Sequence, residues 1–199
     1  KGGQGIAETI SSKGEKVYLT ASGARPWIIA VDSTSTSASG EFELAIREFP
    51  VPSNGRCATA QVLTLTSGQQ TTVNGDTTAV ANEFGTAINC GKDSSGVVEG
   101  SQLYYKVALT AGKTYELSVA PEFTSGRLIV FGATCDAAAI NADCASNGQT
   151  GLVSSFLTTT KPTVLEFTPQ STGDYHILVD STSTRSYGKF VLIVGEKSS

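Results

Sequence analysis

Methionine is absent from these 199 residues, histidine and tryptophan occur once each, and charged side chains make up only 16% of the chain. Each shortage excludes something. A Ser-His-Asp hydrolase would have only His176 to use as its base, and a metal site built on several histidines cannot be assembled. Fourteen Lys and Arg stand against eighteen Asp and Glu, a net charge of −4, and the cations are scattered singly. Without a basic stripe to neutralise phosphates, nucleic acid is not an expected partner. The apolar runs, such as 127–131 and 189–194, fall far short of the ~20 residues that a membrane-spanning helix needs. Asn54, Asn74, Asn82, Asn89, Asn141 and Asn147 all lack Ser or Thr two positions on, so no N-glycosylation sequon is present. The sequence starts at Lys1, as expected of a processed or excised segment.

What is plentiful is hydroxyl and glycine: 48 Ser and Thr and 21 Gly. A surface polar through hydroxyls more than through ions suits a secreted or cell-surface β-rich protein. Four cysteines, Cys57, Cys90, Cys135 and Cys144, include no C-x-x-C pair, which points to disulfides and an oxidising compartment rather than a thiolate metal site. Of the three possible connectivities, short-range closure favours Cys57–Cys90 with Cys135–Cys144.

The strongest pattern is a repeat. Residues 17–48 and 165–196 align without a gap at an offset of 148, with 12 identities in 32 positions. "VDSTST" occurs at 31–36 and again at 179–184. A period this long exceeds the 20–50 residues of a solenoid or propeller unit, so each unit is expected to be a domain. Short β-branched or aromatic stretches at 60–66, 102–109, 113–119, 127–131, 152–157, 163–167, 175–179 and 189–194 are bounded by Gly, Pro, Asn, Asp or Ser. Eight or nine such strands predict an all-β, jelly-roll-like β-sandwich. It would be preceded by a partial copy holding the last four strands. The expected organisation is a partial unit at 1–49, a proline-containing linker at 50–56 and a complete domain at 57–197. The best helix candidate is 136–141.

Strand alternation separates faces. Phe42, Leu44 and Ile46 match Phe190, Leu192 and Val194, which marks both sets as core-facing. The other face of the second copy carries Val191 and Ile193, apolar positions expected to be covered. In the first copy Leu19, Trp27, Ile29, Val31, Phe42, Leu44 and Ile46 form a half-sandwich face that needs a cover. Val191, Ile193, Trp27, Ile29 and Phe42 are therefore the candidate interface residues.

The run 173–180, "GDYHILVD", its Ser/Thr turn, and "YGKFVLIV" at 187–194 resemble the closing hairpin of bacterial pre-peptidase C-terminal (PPC) domains. Residues 103–117 resemble that family's middle hairpin. The frame from Cys57 through "VNGDT" at 73–77 to Cys90, and the Cys135–Cys144 loop, are similar to a disulfide-bearing variant repeated in large secreted proteins of myxobacteria and relatives. The resemblance covers 57–196 and, through the repeat, 5–48. It implies a jelly-roll-like sandwich acting as a non-catalytic spacer, cap or binding module. Some members bind calcium; the candidates here are Asn74, Asp76, Glu83 and Asp93, with Asn82 and Glu99 nearby. They lack the every-second-residue spacing of a calcium loop, and Asn74-Gly75-Asp76 reads as a tight turn.

Catalytic chemistry finds little support. His176 aligns with Ile28, which favours a packing role over a general base. Asp32 and Asp180 each open a Ser/Thr run where an Asx-type turn explains them. Trp27 and Tyr175 share one position, where core packing is favoured over sugar stacking. The sequence thus predicts no enzyme and no cofactor beyond the calcium option. It predicts a structural or adhesive repeat of a secreted surface protein, assembling with itself or with neighbouring domains, head to tail in a filament. The alternative is an accessory domain of a secreted hydrolase that binds an extracellular glycan or protein.

Overall fold

The computed structural model describes residues 28–31, 35–37, 39–46, 48, 50–88, 98–145, 152–153, 159–181 and 186–197. The chain divides into two compact units, Lys1–Phe49 and Pro50–Ser199.

The second unit is a β-sandwich. Its strands are β1 Gln61–Leu63, β2 Gln70–Asp76, β3 Gln102–Leu109, β4 Tyr115–Pro121, β5 Gly126–Phe131, β6 Leu152–Val153, β7 Thr163–Phe167, β8 Gly173–Ser181 and β9 Lys189–Glu196. A five-stranded sheet runs β1-β3-β8-β5-β6 and a four-stranded sheet runs β2-β9-β4-β7. The short β1 lies parallel to β3, while every other pairing is antiparallel. Consecutive strands β8 and β9 lie in different sheets and are central in each. β8 sits between β3 and β5, and β9 between β2 and β4.

Alternation along these strands builds the core between the sheets. Tyr105, Val107, Leu117, Val119, Leu128, Val130, Ile177, Val179, Phe190, Leu192 and Val194 point inward and are buried. Phe190 is the hub, with Tyr105 and Phe123 each meeting its ring edge-on, at 6.3 and 6.5 Å between centroids. Burial of aliphatic and aromatic side chains at about 1.5–3 kcal/mol apiece is what holds the sheets together.

The outer face of the five-stranded sheet is covered too. Tyr104, Ile129, Phe131 and Leu178 face away from the main core and form a second cluster with Cys57, Ile88, Val98 and Ile140. The cover comes from two short 3-10 helices, Cys57–Thr59 and Gly85–Ala87, and from helix α1, Ala137–Ala145. This explains why β5 is buried at every position. The sequence expectation placed the covered outer face on β9 instead, where Val191 and Ile193 are only half-buried.

Two expectations change with these elements. Residues 74–76 are not a turn but the end of β2, paired with β9. Gly75 lies opposite Phe190, and a Cβ there would stand 2.2 Å from Phe190 Cζ, so the glycine makes room for the ring. The stretch expected to be a linker is held against the second unit. Asn54 is buried, its carbonyl accepts the Tyr104 N–H at 2.9 Å and its Nδ2 donates to the Tyr104 carbonyl at 3.1 Å.

In the first unit, residues 28–31 and 39–46 are described and form no strand. Leu19, Trp27 and Asp32, named above from the sequence, lie outside the described residues.

Candidate functional site

Three features are candidates: the apolar face of the first unit, a groove on the four-stranded sheet, and a polar and sulfur-bearing cluster on the outer face of the five-stranded sheet.

The 148-residue offset places 25–33 on β8 and 41–48 on β9, so the same residue types can be compared in two settings. Phe190, Leu192 and Val194 are 2%, 0% and 1% exposed. Their counterparts Phe42, Leu44 and Ile46 are 67%, 52% and 77% exposed. Ile28, Ile29 and Val31 on the β8 counterpart are exposed as well. Residues 1–49 hold counterparts of β6–β9 and none of β1–β5. Residues 28–31 and 41–46, the sequence counterparts of strands that are central in the second unit, form no strand.

The groove, about 400 Å³, crosses the outer surface of β2, β9 and β4 and is lined by Asn74, Asp76, Ala120, Glu122, Lys189 and Val191. It gathers two of the calcium candidates. Asp76 is already engaged, accepting the Thr78 N–H at 2.9 Å, and Lys189 stands opposite it in the strand register. Glu83 is nowhere near, since it lies over the other sheet and accepts the Cys57 N–H at 2.8 Å. Asp93 lies outside the described residues, so the described candidates do not converge on one point.

On the outer face of the five-stranded sheet, the register aligns Gln102 (β3), Asp180 (β8) and Arg127 (β5) in one row. All three are buried. Asp180 thus does not open an exposed Asx turn: it ends a central strand, and neither carboxylate oxygen has a hydrogen bond of good geometry. Burial raises its pKa well above the ordinary carboxylate range, and Gln102 and Arg127 offset this only in part. Burial likewise pushes the hydroxyl of Tyr105, on the inner face of β3, up to about 12.

A folded-state pKa above the unfolded value means the fold retains a proton that the unfolded chain has lost. Stability should therefore fall as pH rises above the ordinary carboxyl value of ~3.9, by about 1.4 kcal/mol per unit until the raised pKa is reached. Asp180→Asn is expected to remove this slope and to be the more stable protein at pH 7. Urea unfolding of both proteins between pH 4 and 8 checks it; parallel stability curves would refute it.

Beyond Asp180, the same strand carries Tyr175 and His176. Tyr175 is buried against Phe167 in the main core, the packing role expected for its position. His176 is 4% exposed and stacks on Phe131 with ring centroids 5.1 Å apart. Its Nε2 lies 3.6 Å from Cys135 Sγ, a proximity that no spacing in the sequence reveals.

Cys135 is bonded to Cys57, 78 positions earlier. The expected pairs Cys57–Cys90 and Cys135–Cys144 are thereby overturned. Cys144 lies within α1, and Cys135, already bonded to Cys57, is not open to it. Cys57 instead lies across the end of β5, where its Cα comes within 5.7 Å of that of Cys135. Cys90 lies outside the described residues.

No family pattern and no curated protein matches the chain. Among solved structures, Aeromonas hydrophila PliG, a periplasmic lysozyme inhibitor of g-type lysozyme, is similar at 10% identity and a TM-score of 0.39, over 69% of this chain and 96% of that one. A likeness of that degree bears on neither partner nor activity.

Proposed function

We propose that this chain is a non-catalytic structural repeat of a secreted surface protein, related in design to PPC domains, whose units join end to end by completing one another's sandwiches. The observation that carries this reading is the contrast between Phe42, Leu44 and Ile46, exposed, and Phe190, Leu192 and Val194, buried at the same positions of the repeat. Leaving three such side chains in water forgoes roughly 5 kcal/mol or more. The surface that fits them is the kind that receives their counterparts: the β1–β5 half of a like unit in which that half is not already filled, as it is filled here by β8 and β9.

Residues 1–49 and the second unit present unlike surfaces, the exposed apolar side chains of the first copy and the filled sandwich of the second. A contact between unlike surfaces that does not close generates a linear assembly. The disulfide and the hydroxyl-rich surface fit an extracellular setting.

Sedimentation tests the reading. The 199-residue chain is expected to associate in a concentration-dependent way, and Phe42→Asp with Leu44→Asp to abolish association while the second unit stays folded. A chain beginning at Val51 should be monomeric. Monomeric behaviour of the full chain at every concentration, unchanged by these substitutions, would sink the proposal.

A further inference from the structure

We propose that when the Cys57–Cys135 bridge is reduced, its two thiolates and His176 Nε2 form a binding site for a thiophilic divalent cation of the zinc class, so that disulfide and metal are alternative crosslinks between the same residues. Among the described residues, Cys57, Cys135 and His176 are the one group whose ligand atoms converge, all within 4.8 Å of one another. Two sulfurs and an imidazole nitrogen are a donor set that suits zinc, with a fourth tetrahedral position open.

The histidine is already arranged as a ligand. A carbonyl can only accept, so the 3.0 Å contact between His176 Nδ1 and the Gly132 oxygen fixes the ring proton on Nδ1. In the neutral ring this leaves the Nε2 lone pair facing Cys135 Sγ. A ring N–H anchored on a backbone carbonyl is the usual way in which a metal-binding imidazole is held and oriented. Stacking on Phe131 and burial fix the ring plane. Cys135 is only half-buried, which gives a cation a way in.

The chemistry balances as an exchange. A dithiol reductant supplies two electrons and two protons, the Cys57–Cys135 bond breaks to two thiols, and the reductant leaves as its own disulfide. Metal binding then displaces the two thiol protons, while the neutral imidazole releases none. A disulfide donor reverses the sequence, reforming the S–S bond and expelling the cation. Because metal that binds only the folded chain stabilises it, the cation restores the link between residue 57 and the end of β5 that reduction removes.

The test uses the full chain reduced with a phosphine and titrated with Co(II), then Zn(II). Co(II) is expected to bind with a thiolate charge-transfer band, Zn(II) to displace it, and Zn(II) to raise the melting temperature of the reduced chain but not of the oxidised one. His176→Gln should weaken binding at least tenfold. In alkylation mapping of the reduced wild-type chain, Zn(II) should shield Cys57 and Cys135 and leave Cys90 and Cys144 open to modification. Absence of the band, shielding confined to Cys90 and Cys144, equal affinity in His176→Gln, or equal binding by the oxidised chain would each overturn the proposal. Mapping and melting shifts read the wild-type protein, so the test holds however well the variant folds.

Discussion

Replacing Cys135 by serine should lower the stability of the second unit by about 4 kcal/mol in metal-free buffer. The Cys57–Cys135 bridge closes a separation of 78 residues. Constraining a loop of that length removes about 4.5 kcal/mol of denatured-state entropy on the chain-entropy estimate, and the serine fills nearly the same volume. Cys57→Ser should cost the same, and the double replacement little more than either alone, because one bond is lost in all three. Urea denaturation of the four proteins checks this. A loss below 1 kcal/mol, or additive losses in the double variant, would mean that the bridge does not constrain the chain as described. The shorter pairings expected from the sequence would have confined the effect to smaller loops.

Phe190→Ala should cost about 3–5 kcal/mol, while Phe42→Ala should change the unfolding of the second unit by less than about 0.5 kcal/mol. The two phenylalanines occupy equivalent repeat positions, but Phe190 is packed by Tyr105 and Phe123 above a glycine that leaves room for it, whereas Phe42 faces water. Deleting the Phe190 ring leaves a cavity at the hub of the core, and the backbone of β2 and β4 on either side of β9 limits how far it can collapse. Denaturant midpoints of the two variants at low protein concentration give the comparison. At high concentration Phe42→Ala should instead weaken association, since the interface proposed here is where that ring is buried. Equal effects on unfolding would show that the two copies are not distinguished by their surroundings.

What can be read without coordinates follows from which signals are local. β3 and β7 end where the turn residues place them, at 102–109 and 163–167, because alternation and punctuation are properties of the segment itself. β2 escapes because Asn74-Gly75-Asp76 carries strong turn chemistry, and the reason for its glycine sits on Phe190, 115 positions away. Asp180 is misread from sequence for a similar reason. An Asp ahead of Ser and Thr invites an Asx turn, while its burial depends on Gln102 and Arg127 arriving from β3 and β5. The pairing of the cysteines and the approach of His176 to them are consequences of how β5, β8 and the first 3-10 helix meet. The continuous apolar run 128–131 is a local hint that the five-stranded sheet is covered on both faces.

The Cys57–Cys135 bridge also has a mechanical meaning. If tension is applied along the chain from outside these two residues, the stretch between them, with β1 to β5, cannot lengthen. At roughly 3.3–3.6 Å per extended residue, about 270 Å of contour is withheld from stretching. Only the sequence beyond the bridge, including β6 to β9, can yield. An array of such units under load would surrender its C-terminal strands and keep its N-terminal halves threaded as short, covalently shut loops, so a reductant would set how far it stretches before it fails.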